Sequence, residues 1–333
     1  MSSNEHHQTA DTESNREPLE VTVCHSIGDE HSNEGCKIRK AYRDVIGTGI
    51  PVIAPFADIA TVAHTLISTF PWATDAVRLA VGELAQKQAY GDPRLAGVLK
   101  PFLLVGPPGS GKTRFASELA HTLGLPLDII SGSASDTSGL QAVSRGWATA
   151  MPCGPVNAIL RHGCANPVLL VDEIEKAKGS NNNGHIWSTL LSMMNGDGQY
   201  YDSCLMANVD LRYVNFWATA NSIQNLPEPL LDRFIVIEVP GPSVEHADSI
   251  LDTIIADEAK AISAEKMPEL SQLERRKITK LLGGNSGSIR QMQQAYRAWV
   301  REQAMRELLP NFLAGQDHDA ALLDFDADSS RAN

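Results

Sequence analysis

The stretch that most constrains this chain is GPPGSGKT, residues 106–113, set between the apolar run FLLV (102–105) and RFASELAHTLG. The spacing G-x-x-x-x-G-K-[ST] is met by Gly106, Gly111, Lys112 and Thr113, and its mechanism needs a strand before it and a helix after it. Glycines let successive backbone N–H groups turn inward around phosphate oxygens, and the helix N-terminus adds the positive end of its dipole. Lys112 is expected to reach the β- and γ-phosphates of a nucleotide, and the Thr113 hydroxyl to ligate Mg²⁺. Pro107, Pro108, Gly109 and Ser110 complete the cradle.

Hydrolysis requires a carboxylate on the metal shell and a group that activates water. The segment PVLLVDEIEK offers both, with Asp172 and Glu173 at the end of an apolar run about 60 residues beyond the loop. Ligands bind at the carboxyl ends of strands in open α/β sheets, so both acids should face the phosphate loop. Asp172 would hold Mg²⁺ through water, and Glu173 would act as general base. Asn221, which closes FWATAN, is either a turn residue or a polar amide holding water or the γ-phosphate. Arg233, in LPEPLLDRF, either pairs locally with Asp232 or Glu228 or points at the nucleotide of a neighbouring subunit as an arginine finger.

The rest of the chain supplies a matching scaffold. ADIATVAHTLISTF and ATDAVRLAVGELAQKQA carry apolar residues at helical spacing. Strand-like runs at 102–105, 127–130, 167–171, 214–218 and 235–239 alternate with helical patterns at 112–123, 155–164 and 185–195. That alternation predicts right-handed crossovers and a parallel five-stranded sheet covered by helices on both faces. Beyond Gly241 the strand signals stop and three helical patterns follow, which predicts a small all-α domain. The expected division is a disordered acidic tail over 1–36, a helical segment over 37–100, an α/β domain over 101–240, a helical domain over 241–312 and a second disordered acidic tail over 313–333.

Charge distribution underlies the two tails. The net charge is −12, yet residues 1–36 hold eight acidic side chains against one Arg, and residues 317–333 hold five against one. The middle is therefore almost neutral, with no net basic excess of the kind nucleic-acid binding calls for. Five cysteines at 24, 36, 153, 164 and 204, with no signal peptide, point to free thiols and a cytoplasmic location. No apolar stretch approaches the length of a membrane span. Cys24, His25, His31 and Cys36 offer four candidate zinc ligands in one short stretch, but adjacent Cys24 and His25 can hardly serve one tetrahedral ion, and no CxxC pair is present.

Over residues 70–300 the order GPPGSGKT, LLVDEIEK, ATAN and PEPLLDRF resembles an AAA+ ATPase, a P-loop NTPase domain followed by a small all-α lid. Within that family NPVLLVDEIEK, RGWATAMPCGPVNAIL and NVDLRYVNFWATANSIQNLPEPLLDRF are most similar to the ATPase module of Lon-type proteases. The resemblance implies ATP and Mg²⁺ as cofactors, Asn221 as the first sensor, Arg233 as the arginine finger and Arg290 in NSGSIRQ as the second sensor. Arg290 shares its helix with Arg297 and Arg301, and an exposed helical face is the other place for it. The resemblance also puts Trp147, followed by Met151, on a loop that grips polypeptide in the pore of a hexamer. Packing of Trp147 under the sheet is the alternative. Only 43 residues follow Arg290, too few for Lon's proteolytic domain.

The expected function is ATP hydrolysis by a homo-oligomeric ring, a hexamer by resemblance, that remodels a protein substrate or complex, away from membranes. A nucleotide-dependent loader or switch acting on nucleic acid, and an ATP-binding assembly scaffold, are the alternatives.

Overall fold

A computed structural model of the chain describes residues 18–55, 58–132, 139–177, 186–282 and 288–309. The polypeptide opens with an antiparallel ribbon of β1 (Glu20–Val21) and β2 (Ile50–Pro51), with α1 (Asn33–Ala41) between them. This overturns the acidic-tail expectation for residues 18–36. Val23 and Cys24 are 2% and 0% exposed and join the main hydrophobic core, while the acidic residues around them face outward or cap turns. Burial of a few apolar side chains, each contributing about 1.5–3 kcal/mol, outweighs the local polarity. Cys24, His25, His31 and Cys36 are not gathered: Cys24 is buried and Cys36 exposed, and no metal-binding group of His, Cys, Asp or Glu occurs among the described residues. Residues 1–17 and the expected tail over 313–333 lie outside the described residues.

Helices α2 (Ile59–Thr69) and α3 (Thr74–Tyr90) follow, the first started by Asp58, whose side chain accepts the Thr61 N–H. The sheet is then built from β3 (Phe102–Val105), β4 (Leu127–Ser131), β5 (Val168–Asp172), β8 (Asn215–Ala220) and β9 (Ile235–Glu238). Its order is β4-β5-β8-β3-β9 with every pair parallel, as the alternating pattern requires. A hairpin of β6 (Gln199–Asp202) and β7 (Ala207–Asp210) intervenes before β8.

Strand side chains alternate between two cores, so these strands read as continuous apolar runs. Phe102, Leu104, Val168, Leu170 and Trp217 face one core, packed by α2, α3 and α4 (Lys112–Thr122). Leu103, Leu169, Val171 and Phe216 face the other, packed by α5 (Gly154–His162), α6 (Ile186–Met193), the β6–β7 hairpin and residues 18–55. The buried amides of Asn166 and Asn215 bind the N-terminal stretch to the base of the sheet. Asn166 pairs with both backbone groups of Ile53, and Asn215 Oδ1 accepts the Leu99 N–H at 2.6 Å. A short helix α7 (Glu228–Leu231) precedes β9. Beyond it, α8 (Ala247–Ala261), α9 (Gln272–Lys280) and α10 (Ile289–Leu308) enclose a separate core around Leu251, Met292 and Tyr296. Trp72 contacts that core and the sheet's core alike, and Arg114 Nη1 on α4 meets Asp257 Oδ2 on α8 at 2.6 Å, joining the two parts.

Candidate functional site

The sheet order brings the carboxyl ends of β5, β8 and β3 side by side, and with them Asp172, Asn221 and the loop 106–113. Within the loop, Gly109 and Gly111 adopt φ of +78° and +92°, open to glycine without strain, and a Cβ on Gly109 would sit 2.7 Å from Ser288 Cβ. Gly111 caps α4 with no side-chain hydrogen bond, so no cap side chain competes for the amides of the first turn.

A cavity of about 590 Å³ opens there, lined by Pro108, Gly109, Gly111, Lys112 and Thr113 of the loop and by Asp172, Glu173, Asn221 and Arg290. Gly106, Pro107 and Ser110 stand behind the lining. The first two offer their carbonyls to Lys112 Nζ at 2.8 and 3.0 Å, and the Ser110 carbonyl accepts Trp72 Nε1 at 3.3 Å. Lys112 also donates to Asn221 Oδ1 at 2.9 Å. Burial pushes the Lys112 ammonium below its ordinary value, opposed by the carboxylates of Glu175, Asp172 and Glu173.

Thr113 Oγ1 donates to Asp172 Oδ1 at 2.7 Å across a sequence separation of 59 residues. A hydroxyl and a carboxylate so placed form an oxygen donor set suited to Mg²⁺, which takes few protein ligands and keeps several waters. Glu173 sits at φ +56°, a left-handed backbone unusual for a glutamate and a feature that clusters at functional sites. Its carboxylate meets Lys176 Nζ at 2.8 Å at the rim of the cavity. Arg290 lines the cavity from the start of α10, whereas Arg297 pairs with Glu258 and lies elsewhere.

Arg233 is exposed, does not line the cavity, and makes no side-chain hydrogen bond or ion pair with another described residue; neither Asp232 nor Glu228 holds it. Trp147 is 72% exposed, at the tip of a loop closed by reciprocal Val143 and Met151 backbone bonds of 2.8 and 3.1 Å. It is not packed under the sheet. Met151 stands at the base of that loop beside Ile129 and Leu160, away from the tip.

Sequence reasoning missed several residues of this site. Phe70, Trp72, Ile250 and Ile289 also line the cavity and give it apolar surface, signalled only by the aromatic pair around Pro71. Thr219, a hydroxyl inside the apolar strand FWATA, donates to Asp172 Oδ1 at 2.6 Å. Glu175, the third acid of DEIE, accepts two hydrogen bonds from Asn221. Arg145 donates to the carbonyls of Gly28, Cys204 and Leu205 and so fastens the base of the Trp147 loop.

A glycine-rich phosphate loop at the head of a helix, facing an acid pair and a polar amide across a parallel sheet, is the arrangement of a P-loop NTPase fold. Residues 102–240 match the model of the ATPase family associated with various cellular activities (AAA), and the chain carries an AAA domain there. It is 40% identical over 145 residues to "Lon protease homolog 2, peroxisomal" of Spinacia oleracea, covering 43% of this chain and 16% of that protein. The homologue of the same name in Arabidopsis thaliana shows the same identity and coverage. "Lon protease" of Nitrosococcus oceani is 36% identical over 149 residues, 44% of this chain and 19% of that protein. The matches thus span less than a fifth of these relatives, and the likeness is to their ATPase region.

Proposed function

We propose that the protein is an ATP hydrolase that works as a ring of identical subunits, a hexamer by analogy with its family, and remodels a protein substrate or complex. The observation that carries this reading is the contrast between a furnished pocket and an outlying Arg233. Lys112, Thr113, Asp172, Glu173 and Asn221 converge on one cavity, while Arg233 stands exposed outside it with no side-chain partner among the described residues. In a ring such an arginine completes the site of the adjacent subunit and stabilises charge developing on the transferred phosphoryl group.

Within the pocket, Lys112 turns from its loop carbonyls to the β- and γ-phosphates, and Glu173 takes the proton of the attacking water. The water oxygen bonds to the γ-phosphorus as the bond from that phosphorus to the bridging oxygen breaks, releasing ADP and phosphate. Thr113 and Asp172 would hold Mg²⁺, which neutralises phosphate charge when bound. Arg290 would reach the nucleotide from the helical lid. Trp147, exposed on a loop fastened at its base, would grip polypeptide through its ring body without reading sequence. The five free thiols support the cytoplasmic placement, and no described helix is long and apolar enough to cross a membrane.

The test is the ATPase rate per subunit against protein concentration, with Glu173→Gln as blank and particle mass measured in parallel. A rate that climbs to a plateau as mass rises to that of a ring is expected. A single-subunit species at full rate overturns the ring, and a rate equal to the blank overturns hydrolysis.

A further inference from the structure

Glu175 lies in the single 3₁₀ turn Ile174–Lys176 that follows the acid pair. Its Oε1 accepts both the backbone N–H of Asn221 at 3.0 Å and Asn221 Nδ2 at 2.7 Å. On the far side of the same carboxamide, Oδ1 accepts Lys112 Nζ at 2.9 Å. An ammonium has only donors and a carboxylate only acceptors, so Asn221 has one permitted amide orientation between them. Reversed, its NH₂ would face the ammonium and its carbonyl the carboxylate, two repulsive contacts in place of two hydrogen bonds. The orientation of an amide, usually ambiguous, is here fixed by the chemistry of both neighbours.

We propose that Glu175 is a positioning residue that sets the polarity of Asn221, so that this carboxamide presents only its oxygen to the nucleotide pocket. The proposal rests on the hydrolytic reading above. Once Lys112 turns to the phosphates, Oδ1 is left as an acceptor for an O–H of the attacking water, while Nδ2 stays on Glu175. Asn221 then orients the water for Glu173 and does not donate to a phosphate oxygen.

A second feature separates this role from plain support. Glu175 Oε2 is buried and has no hydrogen-bond partner among the described residues. A buried, unpaired carboxylate oxygen is costly, and a glutamine would accept the same two bonds without the charge. What glutamine lacks is the acceptor-only character, since its amide can rotate and offer a donor that lets Asn221 invert.

Glu175→Gln therefore preserves shape while removing that constraint. The expected result is kcat reduced by about tenfold or more, with KM and the affinity for a non-hydrolysable ATP analogue within about twofold of wild type, the split that marks a transition-state interaction. Asn221→Asp alone sets two carboxylates against each other and should be slower still. Combining it with Glu175→Gln gives residue 175 a donor and again turns an oxygen to the pocket, so the double variant should exceed Asn221→Asp. A Glu175→Gln enzyme with wild-type kcat overturns the proposal. So does loss of nucleotide affinity in parallel with kcat, which would make Glu175 a support for the charge of Lys112. If the wild-type protein binds ATP without turnover, the hydrolytic reading fails on its own. Glu175 is then decided by the side-chain NH₂ protons of Asn221, identified by their loss in Asn221→Asp. Held by a carboxylate they exchange slowly with solvent, and exchange unchanged by Glu175→Gln overturns the assignment.

Discussion

Thr219 Oγ1 donates to Asp172 Oδ1 at 2.6 Å and through the same oxygen accepts the Glu173 N–H at 2.9 Å. One hydroxyl, 0% exposed on the central strand β8, therefore fixes both acids that the proposed chemistry uses. Thr219→Val keeps the shape and removes both bonds, leaving the Glu173 amide without an acceptor. It should lower stability by about 1–3 kcal/mol, the cost of a buried unpaired polar group. ATP turnover should fall as well, with Thr219→Ser recovering most of both. Thermal unfolding and steady-state ATPase assays measure the two effects.

Lys112 lines the cavity and Arg233 does not, so in the proposed ring their losses should complement each other. Arg233→Ala should bind nucleotide normally and lose about 10³–10⁵ in rate, the range for a transition-state arginine. Lys112→Ala should fail to bind. Mixing the two restores sites that pair an intact pocket with an intact neighbouring arginine. Turnover above the sum of the separate variants is the expected outcome, and strict additivity would place Arg233 outside any shared site.

The Trp147 loop depends on Arg145, whose guanidinium holds three carbonyls from two separate segments. A lysine has one compact ammonium and cannot reproduce that planar fork. Arg145→Lys should accelerate proteolytic cleavage between residues 143 and 151. Trp147→Ala should abolish the stimulation of ATPase by an unfolded polypeptide. Stimulation by DNA, falling steeply with salt, would instead favour the nucleic-acid reading.

Burial raises the Cys24, Cys164 and Cys204 thiols from 9.0 to about 11, with Asp202 adding to the rise at Cys24 and Cys204, and lifts Cys153 well above its ordinary value. Groups whose acidity is weakened by folding favour the native state below their unfolded value and lose that contribution as pH climbs. Stability should accordingly decline from about pH 9 towards 11. At neutral pH a thiol reagent should modify Cys36, the exposed one, and reach all five only after denaturation.

Much of this architecture was legible because its signals are local. FLLV, bounded by Pro101 and Gly106, coincides with β3 residue for residue, and the phosphate loop carries its own glycines and lysine. What escaped depends on distant partners. Glu175 and Thr219 were plainly visible as letters, yet their roles come from contacts 46 and 47 positions away. Residues 18–36 misled for a different reason. Strands of two residues carry no periodicity, and the burial of Val23 and Cys24 is decided by surfaces supplied later in the chain. Asp202 is a similar case: a fully buried acid held by the amides of Cys153, Cys204 and Leu205, which composition reads as surface.

The ribbon that opens the described chain has a practical bearing on where this polypeptide can be cut. The family match starts at residue 102, yet Val23, Cys24, Ile27 and Ile50 share a core with Leu103 and Val171, and Asn166 grips Ile53. A fragment trimmed to the match would lose part of the cover on each face of its sheet, residues 18–55 from one and α2 and α3 from the other, and would strip the carbonyl of Gly28 from Arg145. The stretch that ancestry makes recognisable and the stretch that must travel together to fold are thus of different lengths.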